Sequence, residues 1–103
     1  MSLTRWGFVY LADGADPARD TSIVDTGSCR TVLIGMAAPD QVVDVARRLV
    51  DDGAQLIELC GGFGPQWTAR VLDAVGHRVP VGAVTYGTES VPGLHALFAP
   101  PDA

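Results

Sequence analysis

The chain contains no lysine and no asparagine. The first absence removes Schiff-base catalysis, a lysine anchor for pyridoxal phosphate and the GK[ST] phosphate loop; the second removes an N-glycosylation acceptor. The seven basic residues are all arginine and stand against twelve carboxylates, a formal charge of −5. No basic stripe exists for a nucleic-acid backbone or an anionic bilayer, so neither is expected as a partner. Cysteine is scarce as well. Cys29 and Cys60 show no C-x-x-C spacing, so reduced thiols are expected instead of a disulfide, a zinc site lacks ligands, and neither metal nor cofactor is expected. Long apolar runs are missing: charge-free stretches such as Val79 to Thr88 reach about half a membrane span. With no basic-then-apolar leader, the expected location is cytoplasmic. Met1-Ser2-Leu3 has the look of a vector remnant and is left out of the fold reading.

What is present is enough to fold. Over 103 residues, 48% are hydrophobic and 18% charged, the balance of a single small domain and not of a disordered chain. In Arg5 to Leu11 both alternating sets, Trp6/Phe8/Tyr10 and Gly7/Val9/Leu11, are apolar, which predicts a strand buried on both faces. Thr31 to Met36 reads the same way, and Ala37-Ala38-Pro39-Asp40 supplies a turn into a helix. Val42, Val43, Ala46, Leu49 and Val50 then form a helical stripe opposite Asp44, Arg47, Arg48 and Asp51, and Gly53 stops the helix. Gln55 to Cys60 predicts another strand. Pro65 opens a second helix carrying Trp67, Val71, Leu72 and Val75, which Gly76 ends. A last strand over Val79 to Tyr86 and a short helix around Leu94 to Phe98 complete the chain before Pro100-Pro101.

The predicted class is α/β: one small domain with a mostly parallel four-stranded sheet, in the order β, loop, βαβαβ, α, with residues 12–29 as a long loop. If the last three strands lie in sequential order, both connecting helices cover the same face, although the strands read as apolar on both. The loop carries Asp13, Asp16, Asp20 and Asp25 and makes a poor apolar lid, so a homo-oligomer closing through the other face is expected. The aspartate spacings do not match a calcium loop and predict a solvated segment.

Ligands of parallel α/β sheets sit at the carboxyl ends of the strands. That edge gathers Cys60-Gly61-Gly62-Phe63-Gly64 and Thr85-Tyr86-Gly87-Thr88-Glu89. Three glycines in four residues before a helix N-terminus suit a small anionic ligand, with Gly61, Gly62, Phe63 and Gly64 at its rim; the alternative is a tight strand-to-helix turn. No dinucleotide fingerprint is present. Cys60 stands where a thiolate is favoured, with buried packing as the other reading. His77 falls at the far end of its helix; His95 lies on the correct edge, where packing suits it equally. Glu58 shares a face with Leu56 and Cys60, and a carboxylate inside a sheet must be paired, hydrogen-bonded or protonated. It is a candidate general acid or base, with Glu89 nearby; otherwise it pairs with Arg5 or Arg30 or meets a second subunit. Thr85, Tyr86, Gly87 and Glu89 complete the candidate ligand contacts.

Leu56-Ile57-Glu58-Leu59-Cys60-Gly61-Gly62-Phe63-Gly64-Pro65, with Val79-Pro80-Val81-Gly82, Glu89-Ser90-Val91-Pro92-Gly93-Leu94 and the opening Trp6-Gly7-Phe8, resembles a family of roughly hundred-residue bacterial proteins of unknown function. The resemblance spans nearly the whole chain and implies a single α/β domain, without an activity or catalytic residues to carry over. The residues themselves therefore carry the functional expectation: a small anionic or carbonyl-bearing metabolite at the glycine loop, with Glu58 and Cys60 as the candidate catalytic groups. The alternative is a non-catalytic oligomeric binding or assembly module in which the loop is only a turn.

Overall fold

The computed structural model describes residues 2–100. Met1 and Pro101, on which two of the expectations above fall in part, lie outside them. Five strands form one mixed sheet: β1 (Arg5–Leu11), β2 (Thr21–Asp25), β3 (Arg30–Met36), β4 (Ile57–Leu59) and β5 (Val81–Ala83), in the spatial order β2-β3-β1-β4-β5. Three helices follow the same chain order: α1 (Val42–Asp51), α2 (Pro65–Ala74) and α3 (Val91–Phe98). β1 lies at the centre, parallel to both neighbours, with Val9 opposite Ile34 on one side and Leu59 on the other. β4 and β5 are also parallel.

The expected sheet had four strands, and the fifth comes out of the segment read as loop. β2 runs antiparallel to β3, joined to it by a turn in which Asp25 Oδ1 accepts the Gly27 N–H at 2.9 Å and Gly27 takes φ 87°. Every residue of β2 is exposed. An edge strand that buries nothing carries no hydrophobic alternation, and the neighbouring aspartates concealed it. The order is also not sequential, because β1 is inserted between β3 and β4.

Residues 12–20 remain a polar loop that organises itself. Asp20 receives the Arg19 guanidinium through both oxygens, at 3.1 and 2.7 Å, and the Asp16 N–H at 2.8 Å. The Arg19 hydrogen bonds first, and the Asp16 N–H second, hold the Asp20 carboxyl well below the usual carboxylate range, at about 2. A depressed folded pKa means that this contact supports the fold above the ordinary aspartate value. The support is lost as pH falls from about 4 towards the folded value. A carboxyl NMR titration is expected to place the Asp20 midpoint near 2, and Asp20→Asn to remove that part of the acid sensitivity.

The crossovers from β3 to β4 through α1, and from β4 to β5 through α2, run the same way along the sheet, so right-handed connection places both helices on one face. α1 and α2 pack on each other there. Val9, Ile34, Met36, Ile57 and Leu59 point into that layer and meet Val42, Val45, Ala46 and Leu49 of α1 and Val71 of α2. The stripe of α1 is centred on Val45, which the sequence pattern passed over, while Val43 and Val50 are only half-buried. Gly7 lets α1 settle onto β1: a Cβ there would stand 2.7 Å from Leu49 Cδ1.

The opposite face has no cover within the described residues. By strand alternation it carries Trp6, Phe8 and Tyr10 of β1, Thr31, Leu33 and Gly35 of β3, and Glu58 of β4. The Phe8 and Tyr10 rings stack at 6.5 Å, and Tyr10 lies across Gly35, where a Cβ would come within 2.8 Å of the ring. These aromatic residues are half-buried, not enclosed as a strand buried on both faces would have them.

Candidate functional site

β4 delivers the chain to the carboxyl edge. Cys60 N–H continues the ladder to Val9 C=O at 2.9 Å, and Cys60 C=O accepts the Phe63 N–H at 3.2 Å, which turns the chain sharply. Phe63 swings into the core at 3% exposure, so it plugs the loop from below and does not face a ligand. Gly64 takes φ 73° and Pro65 starts α2 with its φ already helical. Each glycine has a local reason. A Cβ on Gly61 would meet the Tyr86 ring at 2.5 Å, one on Gly62 would press on Leu11 Cδ1 at 3.2 Å, and Gly64 needs the left-handed region. The N–H groups of Gly61, Gly62 and Gly64 nevertheless donate to nothing among the described residues.

Above this turn the chain leaves β5 through Val84 to Gly87, makes a 3₁₀ turn over Thr88–Ser90 and enters α3. A cleft of about 620 Å³ opens between the turn and α3, lined among others by Gly61, Gly62, Tyr86, Leu94, His95 and Phe98. Three of the residues expected at the site, Gly61, Gly62 and Tyr86, meet in it. Most of the remaining wall is apolar and comes from α3, through Leu94 and Phe98 among others. Nothing in a helix pattern tells a core-facing leucine from a cleft-facing one.

The other candidates stand apart. Glu58 was expected in a sheet interior; it is exposed on the uncovered face and forms no ion pair among the described residues. Pairing with Arg5 or Arg30 is excluded by alternation, since both arginines share the parity of Gly7 and Val32 on the helix-bearing side. Cys60 is half-buried, and its Sγ accepts the Leu11 N–H at 3.3 Å. Thr85 and Gly87 are exposed, and the Glu89 carboxylate folds back over Gly87. His77 pairs with Asp73 Oδ1 at 3.0 Å at the end of α2. Among the described residues no cluster of three or more histidine, cysteine or acidic groups could hold a metal, and no helix is long and apolar enough to cross a membrane.

A family of unknown function, DUF6506, matches residues 4–99, which takes in every element from β1 to α3. The chain belongs to this family. No curated protein and no solved structure matches it. The family description adds no chemistry, so any function must be argued from the cleft and the surfaces just described.

Proposed function

We propose that the protein binds a small carbonyl- or carboxylate-bearing metabolite in the carboxyl-edge cleft. The observation that carries this reading is the combination of unpaired N–H groups at Gly61 and Gly62 with an apolar wall from Leu94 and Phe98. Donors without acceptors favour a ligand oxygen, and the apolar wall favours a carbon body beside it. Tyr86 and His95 add side-chain polar groups at the same rim. Glu58 and Cys60 do not line this cleft, so the reading is binding, with no proton transfer assigned to Glu58.

A thermal-unfolding screen against small keto acids, aldehydes and carboxylates tests it. A ligand at about 100 times its dissociation constant stabilises the native state by roughly 2.7 kcal/mol, a shift of about 10–20 °C for a domain of this size. One chemical class is expected to respond, and Tyr86→Ala and His95→Ala are each expected to weaken that response by about tenfold while leaving the unliganded midpoint nearly unchanged. A response that survives both substitutions would place the ligand elsewhere.

A second reading, assembly of identical subunits, rests on a different observation. α3 has no buried residue, Leu97 and Phe98 are 77% and 78% exposed, and its main packing is against the 3₁₀ turn before it. Together with the uncovered aromatic sheet face, this favours a homo-oligomer in which a second copy supplies the missing layer. The two readings are compatible, because the cleft lies at the carboxyl edge and the open face lies beside it.

A further inference from the structure

The seven arginines divide sharply by what they touch. Arg19 pairs with Asp20 at 2.7 Å, Arg47 with Asp44 at 3.8 Å and Arg78 with Asp51 at 3.7 Å, while Arg70 lies 4.4 Å above the Trp67 ring. Arg5, Arg30 and Arg48 remain, and none has a carboxylate in ion-pair contact among the described residues. In a chain with twelve acidic residues this is unexpected, and all three line one cleft of about 430 Å³. It lies at the amino ends of β1 and β3, the opposite end of the sheet from the cleft above, where α1 leaves the β2 and β3 side of its face uncovered. Ile23, Val32, Ile34 and Leu49 form an apolar floor, and Asp52 is the single acidic group on the wall.

The placement is built and not incidental. Arg5 and Arg30 are direct register partners on neighbouring strands, a like-charge pair relieved only from the far side of Arg30, where Asp25 is its register partner on β2. Arg5 is also fixed. Its N–H and that of Thr4 donate to Gln55 Oε1 at 3.0 and 2.7 Å, and its Nη1 donates to Asp52 C=O at 3.0 Å. Gly53, at φ 100°, leaves room for this side chain, whose Cδ lies 3.5 Å from the position of a Cβ. The wall carries three guanidiniums against the Asp52 carboxylate, and Asp25, at the register position beside Arg30 on β2, accepts the Gly27 N–H through Oδ1, so the cleft stays net positive. That suits a phosphomonoester, which is anionic at neutral pH and takes bidentate hydrogen bonds from arginine.

We propose that this cleft binds a small organic phosphate, its phosphoryl group held by Arg5, Arg30 and Arg48 and its carbon body laid on Ile23, Val32, Ile34 and Leu49. The probes are phenyl phosphate, inorganic phosphate and, as the neutral control, phenol, titrated at constant ionic strength into the ¹⁵N-labelled chain. Phenyl phosphate is expected to shift the arginine Nε–H signals of residues 5, 30 and 48 saturably, inorganic phosphate to do so more weakly, and phenol not at all. Arg30→Gln and Arg48→Gln are each expected to weaken phenyl phosphate about tenfold, and Arg70→Gln to leave it unchanged. In phosphate-free buffer, Arg30→Gln is expected to melt close to the parent, since it removes the repulsion from Arg5 and the attraction of Asp25 together. Absence of a saturable response at millimolar probe, or equal weakening by Arg70→Gln, overturns the proposal. So does a fall in the mass of the assembly for Arg48→Gln without any phosphate response, which would give the cleft to a second copy of the chain. Because Arg48 and Arg70 lie outside the carboxyl-edge cleft, none of these outcomes depends on the ligand proposed there.

Discussion

Replacing Leu59 by alanine is expected to lower the free energy of unfolding by about 2–5 kcal/mol, a large fraction of what a domain of this size possesses. Leu59 is fully buried at the end of β4, opposite Val9 on one side and Ala83 on the other, and forms part of the layer on which α1 and α2 rest. Truncation there removes the transfer free energy of three carbons and leaves a cavity that the three paired backbones around it cannot close. Urea unfolding checks it: the midpoint should fall with little change in slope, because the unfolded chain exposes nearly the same surface. The contrasting variant is Phe98→Ala. It deletes a larger side chain, yet at 78% exposure it should change the stability of a dilute, dissociated chain by no more than about 0.5 kcal/mol. If the two substitutions cost the same in dilute solution, α3 packs far more closely than its exposed residues indicate.

The contrast between these residues also marks what could be read from the sequence. A helical period located α1 and α2, because each buries one face, and short apolar runs located β1 and β3, whose second face carries aromatic and aliphatic residues too. β2 buries nothing and left no period, so it passed for loop. α3 was located by its apolar residues, but an apolar helix reads the same whether it is enclosed or projecting. Glu58 was misread for a related reason. Alternation put it on the opposite face of β4 from Ile57 and Leu59, yet no local signal says which of the two faces the crossover helices will cover; long-range packing of α1 and α2 decides that. The cleft residues Gly61, Gly62 and Tyr86 were legible because glycine density and strand ends are local. The arginine cleft was not, since Arg5 and Arg30 meet only through strand register and Arg48 joins them only through the packing of α1 on the sheet.

Two substitutions in one row of the open face are expected to move self-association in opposite directions. Ser22, Leu33, Phe8, Glu58 and Gly82 stand side by side across the five strands, so Leu33 and Glu58 flank the same aromatic ring. A second copy laid on this face would bury Leu33 and Phe8 favourably, while Glu58 would lose water without a cation on its own face to meet it. An unpaired buried carboxylate costs several kcal/mol. Leu33→Glu should therefore abolish association, by adding a second such charge and removing apolar contact. Glu58→Leu should strengthen it by at least tenfold, since each 1.4 kcal/mol is a factor of ten. Sedimentation equilibrium across a dilution series reads both, against the 10.8 kDa of one chain. The parent should exceed that mass at high concentration and show a midpoint of unfolding that rises with concentration. If Glu58→Leu and Leu33→Glu both leave the mass unchanged, the sheet face is not the interface. Should Glu58→Leu weaken association, Glu58 has a partner across the interface, and His95 on the exposed helix α3 is the first residue to exchange for glutamine in search of it.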